Sequence, residues 1–206
     1  MDGVFMKKLL NRIGICFLLA VLFWCGTLIS DRQRLREQMI RLHVVANSDS
    51  AADQDLKLRI RDAISESLRT EIANMSDIRQ AKEYLEQKLP DIQKLAENTL
   101  RAVGCEDLVQ VSLCEEAFDT RQYDTFSLPA GIYQALRITV GEGTGKNWWC
   151  VVFPTLCVPE TMEEVRETAA EFGFPDSLNH ALTGEYEIRF ACLDALGRLE
   201  NIFFSG

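Results

Sequence analysis

The sequence predicts an α+β protein: an N-terminal membrane-spanning signal anchor followed by a single mixed helix/sheet domain containing a β-hairpin. Three observations carry this. An uncharged apolar run lies near the start, helical periodicity dominates the stretch beyond it, and short alternating segments dominate the second half of the chain. The 206 residues are enough for one domain of ordinary size plus the opening segment. A content of 47% hydrophobic and 26% charged residues is the balance of a folded body, so disorder is not the default. The expected organisation is a signal peptide or signal-anchor helix over 1–30, a linker over 31–39, and an extracytoplasmic α+β domain over 40–206.

The anchor is justified first. Ile13 to Ser30, IGICFLLAVLFWCGTLIS, carries no charge and follows Lys7, Lys8 and Arg12. At a helical rise of about 1.5 Å per residue the run spans about 27 Å, close to a roughly 30 Å hydrocarbon core. Cleavable signals usually have apolar cores of about 7–15 residues, and no A-x-A-like site follows this one. The bulky Phe23 and Trp24 before Cys25 argue against a lipoprotein acceptor. The reading is an uncleaved anchor, with a cleaved signal as the alternative. Arg32, Arg34, Arg36 and Arg41 bring the count of basic residues on the two sides close to a tie. The basic patch ahead of the apolar core is the export pattern, and it places the body outside the cytoplasm.

Charge agrees. The first thirty residues hold three basic groups and one acid, so with −9 for the whole chain the remainder carries −11. Such a body disfavours nucleic acid, whose phosphates demand basic patches. It also disfavours broad docking onto an anionic membrane surface.

Beyond a charged helical or linker stretch, Ile40–Ala46 alternates and is rich in branched residues, as a strand does. Asn47-Ser48-Asp49-Ser50 is turn chemistry, and Ser50 with Asp53 forms a weakened capping box. Leu56, Ile60, Ile64, Leu68 and Ile72 recur at helical spacing and predict a helix over about 51–73. Ser76 is the expected cap of a second helix, Pro90 the first residue of a third, and Gly104 its stop. LVQVSLC, the YDTFSL segment, Gly131–Val140 and NWWCVVF predict strands, the last two as hairpin partners across GEGTGK. Thr161 and Glu164 predict a helix over about 162–172. EYEIRFACL predicts a closing strand, from the alternation of Tyr186, Ile188, Phe190 and Cys192.

Candidate chemistry is sparse. A cysteine hydrolase would need Cys150 activated by His43, which requires neighbouring strands and a thiolate that a mid-strand position does not favour. Asp49, Asp53 and Asp55 lack calcium-loop spacing, and helix capping accounts for them; no zinc spacing exists. GEGTGK lacks the helix that a phosphate loop requires. Cys150 and Cys157 are the nearest pair that a turn at Pro154 brings together, either as a disulfide or as two small buried apolar residues. Strand geometry sends Trp148 and Trp149 to opposite faces. One enters the core while the other anchors a partner, rests at lipid headgroups or packs under a second layer.

Three blocks, RLHVVANSDSAADQDLKLRIRDAI (Arg41 to Ile64), LPAGIYQALRI (Leu128 to Ile138) and GTGKNWWCVVFPTLC (Gly143 to Cys157), together with the leading anchor, resemble the stage II sporulation protein R family of endospore-forming bacteria. The resemblance implies a signal and not an enzyme. Proteins of this family are exported from the forespore into the space between its membrane and the mother cell's. There they activate a membrane-embedded aspartic protease, stage II sporulation protein GA, which cleaves the precursor of sigma factor E. The resemblance brings no catalytic residue, metal, cofactor or small-molecule substrate. It makes His43, Asn47, Asp49, Asp53, Gln54, Asn147, Trp148 and Trp149 candidates for fold or receptor contact. The competing reading is an extracytoplasmic cysteine-dependent hydrolase of cell wall or peptide.

Overall fold

A computed structural model describes residues 2–154, 162–184 and 187–204. Helix α1 (Asp2–Glu37) contains the apolar run and is long and apolar enough to cross a membrane. The charged stretch after the run simply continues this helix, so much of the expected linker is helical. Leu28, Asp31 and Leu35 on its last turns are buried against the body. The apolar run is therefore joined to the domain by a packed helix and not by a loose tether.

Strand β1 (Ile40–Val45) follows, and then α2 (Ala51–Ala73), capped as expected by the Ser50 side chain accepting from the Asp53 amide. The second and third predicted helices are one, α3 (Ile78–Arg101). Its cap is Asp77 and not Ser76, and Pro90 sits inside it. Ala81, Leu85, Ile92, Ala96 and Leu100 keep one buried face in register across the proline. Burial of that face offsets the hydrogen bond that Pro90 cannot donate. Strands β2 (Val109–Phe118), β3 (Arg121–Gln122), β4 (Ser127–Leu128), β5 (Gly131–Val140) and β6 (Asn147–Phe153) come next. Helices α4 (Met162–Glu171), α5 (Asp176–Leu182) and α6 (Glu187–Phe204) close the fold.

From Glu187 on the expected closing strand is α6, while Glu185 and Tyr186 lie outside the described residues. Only four positions support alternation there, whereas Phe190, Leu193 and Gly197 recur at helical spacing, and Leu193 and Gly197 are the buried ones. Burial follows the longer period.

The sheet order is β2-β5-β1-β6, with β1 and β5 parallel and the other pairs antiparallel. The expected pairing of β5 with β6 is therefore corrected, because β1 lies between them. The antiparallel hairpins are β3 with β4, and β2 with β5 around it. Residues 141–146 thus cross two strand spacings, roughly 10 Å, over the end of β1. Alternation along a strand encodes its faces but not its neighbours, which is why the adjacent strands in sequence suggested the wrong pair.

Helices α2 and α3 cover one face of the sheet, over Ile40, Leu42, Val44, Leu136, Ile138 and Val152. The end of α1 with α4, α5 and α6 covers the other, over Tyr133, Ala135 and Val151. Central β1 is consequently buried at all six positions.

Candidate functional site

Two sequence blocks meet at the end of β1. Asn47 Oδ1 accepts the Glu142 amide at 3.0 Å, and the Asn47 carbonyl accepts the Thr144 amide at 3.2 Å and its hydroxyl at 2.8 Å. Asp49 accepts the Lys146 amide at 2.7 Å, and Asp53 accepts the Ser48 hydroxyl. Gln54 donates to the Ser48 carbonyl at 2.9 Å, and Lys57 donates to Gln54 at 2.6 Å and to the Lys146 carbonyl at 3.1 Å. Burial pushes the Lys57 ammonium below its usual range, against the pull of the Asp49 carboxylate. Of the candidate residues, Asn47 and Asp49 thus bond the crossing loop directly, while Asp53 and Gln54 hold Ser48 between them. Their polar groups fix where β6 starts, at Asn147 opposite Val45.

The glycines of that loop are required by contact. A Cβ at Gly141 would lie 2.2 Å from Asn47 Oδ1, and one at Gly145 would lie 2.3 Å from the Ser48 carbonyl oxygen. Gly141 and Gly143 also have positive φ, +58° and +65°.

Beyond the loop, β6 presents its tryptophans to both layers. Trp148 packs on the α2/α3 side, with the Arg61 guanidinium 4.3 Å from its ring. Trp149 packs on the other side, stacked on His43 with centroids 5.4 Å apart and covered by Arg121 at 3.4 Å. Each indole is half-buried beneath an arginine. Both layers are covered, and β6 stands at the edge of the sheet.

Under Trp149 lies a polar cluster in an otherwise apolar layer. His43 Nδ1 is 2.8 Å from Glu116, whose other oxygen accepts from Arg137 at 2.7 Å. Arg41 is fully buried, with its guanidinium 4.0 Å from the Phe118 ring and 5.1 Å from that of Tyr133, and it donates to the Tyr123 hydroxyl at 3.0 Å. Burial pushes the Tyr133 phenol up, while the Arg41 charge pulls it back. Aromatic faces therefore supply much of what solvent would give this cation.

Arg41, Glu116 and Arg121 were missed by sequence reasoning. The available signal was Arg41 and His43 at alternate positions of an apolar strand, which reads as a solvent-facing edge unless a second layer is known.

The geometry separates the proposed nucleophile from its base. Cys150 shares the α2/α3 face with Trp148, whereas His43 lies on the opposite face with Trp149. Cys150 is moreover disulfide-bonded, and Cys157, its expected partner, lies outside the described residues. Burial pushes the Cys105 and Cys114 thiols up, which is the reverse of activation. Among the described residues no group of three or more His, Cys, Asp or Glu side chains could hold a metal ion.

Similarity to known proteins bears directly on this arrangement. The family description "Stage II sporulation protein R (spore_II_R)" matches residues 36–163, more than half of the chain. The chain belongs to the stage II sporulation protein R family. Stage II sporulation protein R of Bacillus subtilis (strain 168) is 41% identical over 121 residues, which is 59% of this chain and 54% of that relative. The alignment thus spans about half the relative's length. No solved structure matches the chain significantly. The family region runs from the last two residues of α1 to the first two of α4 and includes both locked blocks, the two tryptophans and the buried Arg41 cluster. Helices α5 and α6 lie outside it.

Proposed function

We propose that this chain is an exported sporulation signal. It is made in the forespore and held by its anchor in the space between forespore and mother cell. There it activates a membrane-embedded aspartic protease of the stage II sporulation protein GA type, which processes the sigma factor E precursor. Membership of the stage II sporulation protein R family is the observation that carries this reading. The apolar helix that passes directly into the domain supports action beside a membrane. The separation of Cys150 from His43 removes the support for the hydrolase alternative.

A signal of this kind works by binding the active state of its receptor better than the inactive one. A preference of about 3–5 kcal/mol converts a mostly inactive population into a mostly active one. Edge strand β6, beginning at Asn147 and carrying half-buried Trp148 and Trp149, is the surface we assign to that contact, with the Asn47–Gln54 loop holding it in register.

Co-expression with the protease and the sigma precursor tests the proposal, with precursor cleavage as the readout. Cleavage should require this chain and fall sharply with Trp148→Ala or Trp149→Ala in protein that is still exported and folded. Cleavage that is independent of this chain would overturn the function. Cleavage undiminished by either substitution would overturn the surface.

A further inference from the structure

Helix α6 is apolar on two sides. Leu193 and Gly197 face the body, where Gly197 sits so close to β5 that a Cβ would lie 1.6 Å from the Ala130 carbonyl oxygen. On the opposite side Ile188, Ala191, Ala195, Leu199 and Ile202, spaced three or four residues apart, form one stripe in which every residue is exposed. Ile188 is 74%, Leu199 54% and Ile202 67% exposed, and Phe203 beside them is 84% exposed. A continuous apolar stripe of this size marks a surface that is covered in use.

The position of α6 identifies its cover. Arg189 donates to Asp31 at 2.9 Å, and Glu200 pairs with Arg32 and, at 3.6 Å, with Arg36. Asp31 and Arg32 are the first charged residues after the uncharged run that ends at Ser30. The contacts at 189 and 200 are eleven residues apart, about 16 Å along α6. Their nearest partners are adjacent residues of α1. Helix α6 therefore lies across α1 and not along it, at the level where the apolar span ends. A helix crossing a membrane span at that level runs along the bilayer surface, and its stripe points away from the body.

We infer that α6 is an interfacial helix: Ile188, Leu199, Ile202 and Phe203 insert into the headgroup–acyl boundary of the membrane that α1 crosses. Such helices bury an apolar face about 5–10 Å into that boundary. Binding here is driven by apolar area, because α6 itself carries three acids and two arginines and so gains little from anionic lipid. The ion pairs to Asp31 and Arg32 then fix the height and tilt of the whole domain above the bilayer. This inference rests on α1 spanning a membrane and is independent of the protease reading.

The test is photocrosslinking of the full chain reconstituted in phosphatidylethanolamine/phosphatidylglycerol vesicles. p-Benzoylphenylalanine replaces in turn Leu199, Ile202, Leu18 within the span, and Glu66 on the outer face of α2. The expected result is a mass increase of one phospholipid at Leu199, Ile202 and Leu18, and none at Glu66. A lipid adduct at Leu18 with none at Leu199 or Ile202 overturns the interfacial helix while leaving the span intact. Crosslinking of Leu199 to a second copy of the chain overturns it in favour of a dimer contact. Absence of lipid at Leu18 removes the span and the inference with it.

Discussion

The imidazole of His43 stacks on the indole of Trp149, with planes 18° from parallel, inside a layer that also buries the Arg41 guanidinium. This pairing places the second tryptophan of the Asn-Trp-Trp-Cys string over the polar cluster and ties β6 to β1 through side chains as well as backbone. Replacing Trp149 with alanine removes the stack and the surface on which Arg121 rests. Urea unfolding should show a loss of about 2–4 kcal/mol, since the ring is half-buried and carries aromatic and cation contacts together. Trp149→Phe should retain more than half of that stability.

The loop glycines give a sharper contrast. Gly145→Ala drives a methyl group into the Ser48 carbonyl, and Gly141→Ala adds left-handed strain to a clash with Asn47. Each should cost about 2–4 kcal/mol. Gly104→Ala meets open space and only the strain of φ +77°, so about 1 kcal/mol is expected. Thermal unfolding of the three variants checks the order.

Pro90 is the opposite case. It is exposed on α3 and removes one helical hydrogen bond. Pro90→Ala should stabilise the protein by about 1–3 kcal/mol. A fall in denaturation midpoint would show that the proline shapes the helix in a way the fold needs.

Acid sensitivity should centre partly on Asp194. Burial alone would raise its carboxyl, but the Ala130 amide at 2.8 Å, the Thr120 hydroxyl and Arg198 at 2.8 Å outweigh that and hold it below the ordinary value. A carboxylate depressed in the folded state adds stability that is present above its unfolded value, about 4, and is lost as pH falls through the folded one. The acid limb of the melting temperature should therefore be shallower in Asp194→Asn, with lower stability than the parent at neutral pH. Parallel curves would show that Asp194 plays no part in the acid response.

Much of the architecture was legible because helix and strand periods are local. The 3.6-residue spacing of Leu56 to Ile72 sets α2, and Ser50 marks its start. Gly131–Val140 and NWWCVVF give β5 and β6 at their observed bounds. Local signals misled where two periods overlapped or a strong breaker intervened. The alternation from Tyr186 to Cys192 concealed α6, and Pro90 appeared to divide α3. In both places a longer buried face decided the outcome. The candidate site was legible in part. The sequence singled out Asn47, Asp49, Trp148 and Trp149, but not that the first two lock the crossing loop while the tryptophans face separate layers.

By itself, then, the sequence determined an apolar helix of membrane length leading an acidic α+β body, the positions of most elements, and the residues that place the chain in its family. Each of these depends on side chains a few positions apart. The tertiary structure alone decided that β1 separates β5 from β6, that Arg41 and His43 lie inside a second layer, and that α6 pairs with α1 just beyond the apolar run. Those outcomes depend on which distant surfaces bury one another, and a surface of one element carries no local mark of the partner that will cover it.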